Sequence, residues 1–306
     1  MKSILGLFFW VVLITANSTF SQNLLLKNGH IIDPVSQKIT SGHLVIEGEI
    51  IKDILKKAPK TFEGEVIDLS GKWLIPSLND MHTHSYGNAG PGGKTQSLST
   101  AGTAKMMLYC GVTGFLDLFN AEDFIINLRN QQRTKDLPGA DIYCAGPCFT
   151  CTDGHCTEYG VPTRVINSPE DARREVSELA AKNPDVIKLV YHTNGRMPTV
   201  NKETMEALIA AANEHKIKTV IHIGSWQDAE EAVLAGATAL THTMGKDIPD
   251  KLLKLLKEKN VFMIPTLTAH SGMLRISENP NFLKNDLLKN VTYRNLFDRL
   301  SGHLLI

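Results

Sequence analysis

The sequence predicts an α/β protein: a TIM-like (β/α)8 barrel, incomplete at about seven strands, preceded by a small β-sandwich-type domain. Two observations predict it. From Asn23 to about Trp73 short β-like pieces are separated by turn signals, and after Leu74 apolar strands alternate with amphipathic helices. Regular alternation of strands and helices is the mark of a parallel sheet, and most simply of a barrel. The length of 306 residues suits one such barrel plus a small accessory unit.

The first residues read as a signal peptide, residues 1–21, and so as export to the periplasm or outside. Lys2 gives a positive start, and Ile4–Ala16 is an apolar run too short to span a membrane, which takes about 18 residues or more. Thr19 and Ser21 supply small residues for cleavage before Gln22. No stable membrane span is expected after cleavage. Residues 22–72 read as the small all-β domain. Its pieces are Leu24–Lys27, His30–Asp33, His43–Glu47, Ile50–Ile54 and Glu65–Asp68, punctuated by Asn28-Gly29, Asp33-Pro34, Ser41-Gly42, Glu47-Gly48 and Ser70-Gly71.

Residues 73–306 read as the barrel. Expected strands are Trp73–Leu78, Thr113–Leu118, Asp141–Ala145, Asp185–Val190, Thr219–Ile223, Ala237–Leu240 and Val261–Thr266. Ser168-Pro169-Glu170-Asp171 has the cap, first-turn proline and acids of a helix start. Met205, Leu208, Ile209 and Ala212 form one helical stripe, and Ile248, Leu252, Leu255 and Leu256 another.

Composition excludes other classes. Lys+Arg 32 balances Asp+Glu 32 with no basic run, which argues against a nucleic-acid partner. Hydrophobic content of 42% with 13 Pro excludes a disordered or collagen-like chain. Of the five cysteines, Cys144, Cys148, Cys151 and Cys156 are clustered and Cys110 stands apart. The spacing C-x3-C-x2-C-x4-C lacks paired C-x2-C units, so disulfides or buried thiols are favoured over structural zinc. In an exported protein at least one disulfide among the four is expected.

The chemistry-bearing residues fall at strand ends. His82 and His84, in Met81-His82-Thr83-His84, share one face of a strand and can meet one metal ion. Lys188 sits in the apolar run Val186–Val190, where a buried ammonium needs a reason. Burial that lowers its pKa would let the amine react with carbon dioxide, giving an anionic metal bridge. His222 and His242 end the next two strands, the edge where barrels of this kind carry their active sites.

With these residues in order, the chain resembles the metal-dependent amidohydrolase superfamily, in its imidazolonepropionase-like branch with the prolidase-type dipeptidases. The resemblance runs from Asn28-Gly29-His30-Ile31-Ile32-Asp33-Pro34 and Val66-Ile67-Asp68-Leu69-Ser70-Gly71-Lys72 to the His-x-His pair. It continues through Gly111-Val112-Thr113, Ile187-Lys188, Val220-Ile221-His222 and Ala235-Gly236-Ala237 to Thr241-His242.

The resemblance implies two divalent metal ions, zinc by default, with His82 and His84 on the first, a carboxylated Lys188 as bridge, and His222 and His242 on the second. It implies a small-molecule substrate, cleaved at an amide, cyclic amide or peptide C–N bond, or an ester, by a metal-activated water. His155, in Asp153-Gly154-His155, matches a loop that bears a substrate-facing histidine, and Tyr191 is placed to donate to a developing oxyanion.

One departure stands out. The family carries an aspartate after an eighth strand, within a Gly-Thr-Asp-like segment. The text Asn281–Ile306 reads as helix or loop, and neither Asp153 nor Asp298 lies in the right context. The expectation is therefore a barrel truncated before its eighth strand and a poor catalyst. The alternative readings are an inactive metal-binding fragment and an extracellular binding module stapled by the Cys144–Cys156 loop.

Overall fold

The computed structural model describes residues 23–85, 99–134 and 137–268, with positions 271, 278, 279 and 281. The expected signal peptide, and the text after residue 281 with Asp298, lie outside the described residues. The chain divides into two compact units, Met1–Pro76 and Ser77–Ile306.

In the first unit β1 (Leu24–Asp33) is the central strand. It pairs antiparallel with β2 (Lys38–Glu47), which pairs with β3 (Ile50–Leu55). On its other side β1 runs parallel to β4 (Glu65–Asp68) and then to β5 (Trp73–Leu74). The described residues of this unit thus form one five-stranded sheet.

The expected turn at Asn28-Gly29 is instead a bulge inside β1. Asn28 takes φ 62° and its side-chain amide donates to Asp68 at 2.9 Å. Asparagine tolerates the left-handed region, so the strand kinks there without ending. The strand expected over Trp73–Leu78 also divides. Trp73–Leu74 joins the sheet of the first unit, and the barrel's first strand begins at Leu78. Pro76 lies between the two and has no N–H for a ladder.

The second unit is parallel throughout. It runs β6 (Leu78–Thr83), α1 (Thr100–Tyr109), β7 (Val112–Asp117), α2 (Glu122–Arg133), β8 (Asp141–Cys144), β9 (Cys148–Thr150) and β10 (Arg164–Val165). It continues α3 (Pro169–Ala180), β11 (Val186–Tyr191), α4 (Lys202–Glu214), β12 (Lys218–Ile223) and α5 (Trp226–Leu234). The last described elements are β13 (Ala239–Thr241), α6 (Asp250–Lys259) and β14 (Phe262–Ile264). Strands β6-β7-β8 form one ladder and β10-β9-β11-β12-β13-β14 another. The Asp185 N–H donates to the Cys144 carbonyl at 2.9 Å, carrying the sheet from β8 to the start of β11.

Helix starts follow local rules. Ser168, Asn201 and Ser225 each accept from the third residue onward, at 3.1, 2.9 and 3.1 Å. In α4 Met205, Leu208, Ile209 and Ala212 are fully buried against the sheet, each of the larger ones contributing about 1.5–3 kcal/mol. The stripe expected from Ile248 is shorter in fact. Pro249 caps α6, so Ile248 precedes the helix while Leu252 and Leu256 are buried. Among the described residues no helix is long and apolar enough to cross a membrane.

Candidate metal centre

Parallel strands bring their C-terminal ends to one edge of the sheet, and that edge gathers the histidines. His82 lies in β6 and His84 just beyond it, on the same face, with their Nε2 atoms 3.3 Å apart. Two nitrogens held tetrahedrally at 2.0–2.1 Å from a zinc ion stand about 3.3 Å apart, so this spacing fits a shared ion. The His82 ring is 4.9 Å from the ring of His242, and His242 is 4.3 Å from that of His222. Nδ1 of His82 is buried without a hydrogen-bond partner.

His242 holds φ 78°, a strained conformation for a non-glycine residue. Its N–H donates to the Ile264 carbonyl at 2.9 Å and its Nδ1 lies 3.0 Å from the Thr266 hydroxyl, so β14 fixes the ring's position.

Lys188 stands in the middle of β11, all six residues of which are buried, and is itself 3% exposed. Its ammonium donates to the Thr241 hydroxyl at 3.2 Å, one residue before His242. Burial pushes this amine down to about 8. Burial, and then the charge on Lys188, push His84 down to about 3 and hold His82 and His222 far below the usual imidazole range. Neutral imidazoles are the form that binds metal. The donor chemistry fits divalent ions, although among the described residues no three His, Cys, Asp or Glu donors already close around one point.

Beside the cluster lies a cavity of about 230 Å³ lined by His155, Val190, His192, Arg196, Pro198 and His222. His155 Nδ1 lies 2.6 Å from Glu158, and its ring is 5.1 Å from that of His222. His192 packs 5.5 Å from His222 over Gly224, where an added Cβ would fall 1.6 Å from the His192 ring.

The amidohydrolase family pattern matches residues 73–296. The chain belongs to the amidohydrolase family. A dihydroorotase from Trichlorobacter lovleyi is 40% identical over 227 residues, which are 74% of this chain and 48% of that one. This amidohydrolase thus spans about half the length of that curated relative. Among solved structures, a Xaa-Pro dipeptidase with bound methionine in its active site has TM-score 0.72 at 21% identity, over 92% of this chain and 75% of that one. Ochratoxinase from A. niger has TM-score 0.65 at 16% identity, over 92% and 71%. At these identities the likeness is one of fold.

In the amidohydrolase His82, His84, Lys188, His222, His242 and His155 come together, and Tyr191 does not. Tyr191 is three positions from Lys188, so its side chain leaves β11 on the opposite face. It is buried in the layer beneath the helices, and its hydroxyl donates to Glu231 of α5. That bond and burial raise the phenol's pKa, burial most. Facing the helices and bonded to Glu231, Tyr191 is not in position for the expected oxyanion role. His192 is the group that sequence reasoning missed, although its even spacing from Lys188 and Val190 marks it as facing the same side.

The turn after the His-x-His pair is fixed from β7. Asp117, fully buried, accepts from the Ser85 N–H and the Phe119 N–H, both at 3.1 Å, from the Asn120 amide at 2.8 Å, and from the Ser85 hydroxyl. Burial still lifts its carboxyl to about 6 against these hydrogen bonds. The expected disulfide is not formed in this structure: all five cysteines are free thiols. Cys144 and Cys151 belong to the main core cluster, and their thiols are pushed up by burial.

Proposed function

We propose that this amidohydrolase is a metal-dependent hydrolase that cleaves the C–N bond of a dipeptide or cyclic amide. The observation that supports the reading best is the convergence of His82, His84, Lys188, His222 and His242 at one strand edge, beside a cavity. In this reading His82 and His84 would hold the first of two ions, His222 and His242 would hold the second, and a carboxylated Lys188 would supply an anionic ligand shared by both. Zinc suits these nitrogen and oxygen donors. Bound ions supply polarisation of the scissile carbonyl and activation of the attacking water.

The chain's own residues do the rest. Glu158 orients His155 through Nδ1, which leaves Nε2 as the atom able to hold or deliver a proton in the cavity. Gly224 leaves room for His192 to form the cavity wall beside His222. Arg196 brings a guanidinium to the rim, suited to orient an anionic end of the substrate. Export remains part of the proposal and rests on Lys2 and the apolar run Ile4–Ala16.

The test is turnover by the zinc-loaded chain on Xaa-Pro and Xaa-Arg dipeptides, cyclic imides and aryl esters. Hydrolysis of at least one C–N substrate, lost on chelation and restored by zinc, is the expected result. Folded, metal-bearing protein with no turnover on any of them would support the inactive metal-binding alternative.

A further inference from the structure

The loop that carries His155 folds back tightly over the strand that precedes it. A Cβ at Gly154 would lie 2.3 Å from the Thr150 hydroxyl of β9, so only glycine permits this approach. Thr157 closes the turn, its hydroxyl donating to the Gly154 carbonyl at 2.7 Å. Between them Cys156 takes φ 91°, a region that L side chains rarely adopt. Such strain persists where surrounding structure over-determines it, and it tends to mark functional positions.

The consequence of this path is that the Cys156 thiol meets the sulfur of Cys148, the first residue of β9, at 3.0 Å. Cys148 is paired in register with Lys188 of β11. Cys148 is 0% and Cys156 6% exposed. No other sulfur–sulfur hydrogen bond occurs among the described residues. A disulfide has its sulfurs about 2.0 Å apart, so closure needs a movement of about 1 Å.

We propose that Cys148 and Cys156 are an oxidisable pair whose disulfide clamps the His155 loop to β9 beside Lys188. The inference does not depend on the hydrolase reading. With a peroxide as oxidant, the sulfur of Cys156, the more exposed of the two, attacks one peroxide oxygen. An S–O bond forms, the O–O bond breaks and hydroxide leaves, taking up a proton to become water. The Cys148 sulfur then displaces the second oxygen as water, and the S–S bond forms. Both thiol protons end in the two waters, and the pair's two electrons reduce the peroxide. A dithiol reductant reverses the change by exchange.

The experiment treats the full chain with hydrogen peroxide, blocks remaining thiols after unfolding, and maps its peptides by mass. The expected result is loss of two of the five free thiols, with a single cross-link joining Cys148 to Cys156 and reversal by dithiothreitol. In the same samples the clamp should slow acylation of His155 by diethyl pyrocarbonate several-fold, and Cys156→Ser should abolish both effects. Cross-links that instead involve Cys144 or Cys151, or five thiols that survive oxidation, would overturn the pairing. A correct cross-link with His155 labelled at an unchanged rate would overturn the clamp. The mapping of the unmutated chain decides the pairing even if Cys156→Ser does not fold.

Discussion

Replacing Asp185 with alanine is expected to destabilise the barrel unit by about 3–5 kcal/mol, because it strands a buried charge. Arg129 of α2 is only 1% exposed and places its guanidinium 2.8 Å from Asp185. The same carboxylate takes a second guanidinium, from Arg133, and accepts the Cys144 N–H at 2.9 Å. It therefore ties α2, the end of β8 and the entry to β11 at one point. Removing it leaves Arg129, only 1% exposed, without an anion and Cys144 without an acceptor. Arg133 is 45% exposed, so Arg133→Ala is expected to cost at most about 1 kcal/mol. Urea unfolding reads both as shifts in midpoint at constant slope. Equal, small shifts for the two variants would show that Asp185 is not the anchor.

Lys188→Met is expected to lower zinc affinity by about 100-fold or more, while leaving the fold as stable as before or more so. Loss of a group that merely orients a ligand typically costs about 10–100-fold, and a bridging ligand is worth at least that. Stability should move the other way, because Lys188 is buried and, among the described residues, its ammonium donates to the Thr241 hydroxyl and has no carboxylate partner. Methionine of similar length removes the cost of burying that ammonium. Competition with a chromophoric chelator measures the affinity, and thermal unfolding of the metal-free protein measures the stability. A variant that keeps its affinity would remove Lys188 from the ligand set. A variant that loses stability along with affinity would make its role structural.

The barrel was legible in the sequence where its strands are buried on both faces and read as short apolar runs. β11 is the clearest case, a run whose one charged residue announced itself. The His-x-His pair and the histidines ending β12 and β13 were legible for the same reason, since strand ends are where a polar residue interrupts an apolar run.

What sequence did not show was hidden by other physics. In α2 the buried stripe includes Arg129 and Gln132, so apolar periodicity breaks where polar groups are satisfied internally. β9 and β10 are too short to leave a pattern. Asn28-Gly29 has turn chemistry yet forms a bulge, because pairing with β2 and β4 on either side keeps the strand going. Tyr191 was assigned by its nearness to Lys188 in sequence, whereas alternation sends the two to opposite faces. His192 was overlooked although the same alternation points it into the cavity.

In the proposed function five side chains of this amidohydrolase hold divalent metal together. Its most direct test is elemental analysis of the folded chain after reconstitution with zinc and bicarbonate, then exhaustive removal of free metal. About two zinc ions are expected to be retained per chain, with His82→Ala and His222→Ala each reducing that number. A folded chain that retains no zinc would contradict it, as would variants that retain as much zinc as the unmutated chain.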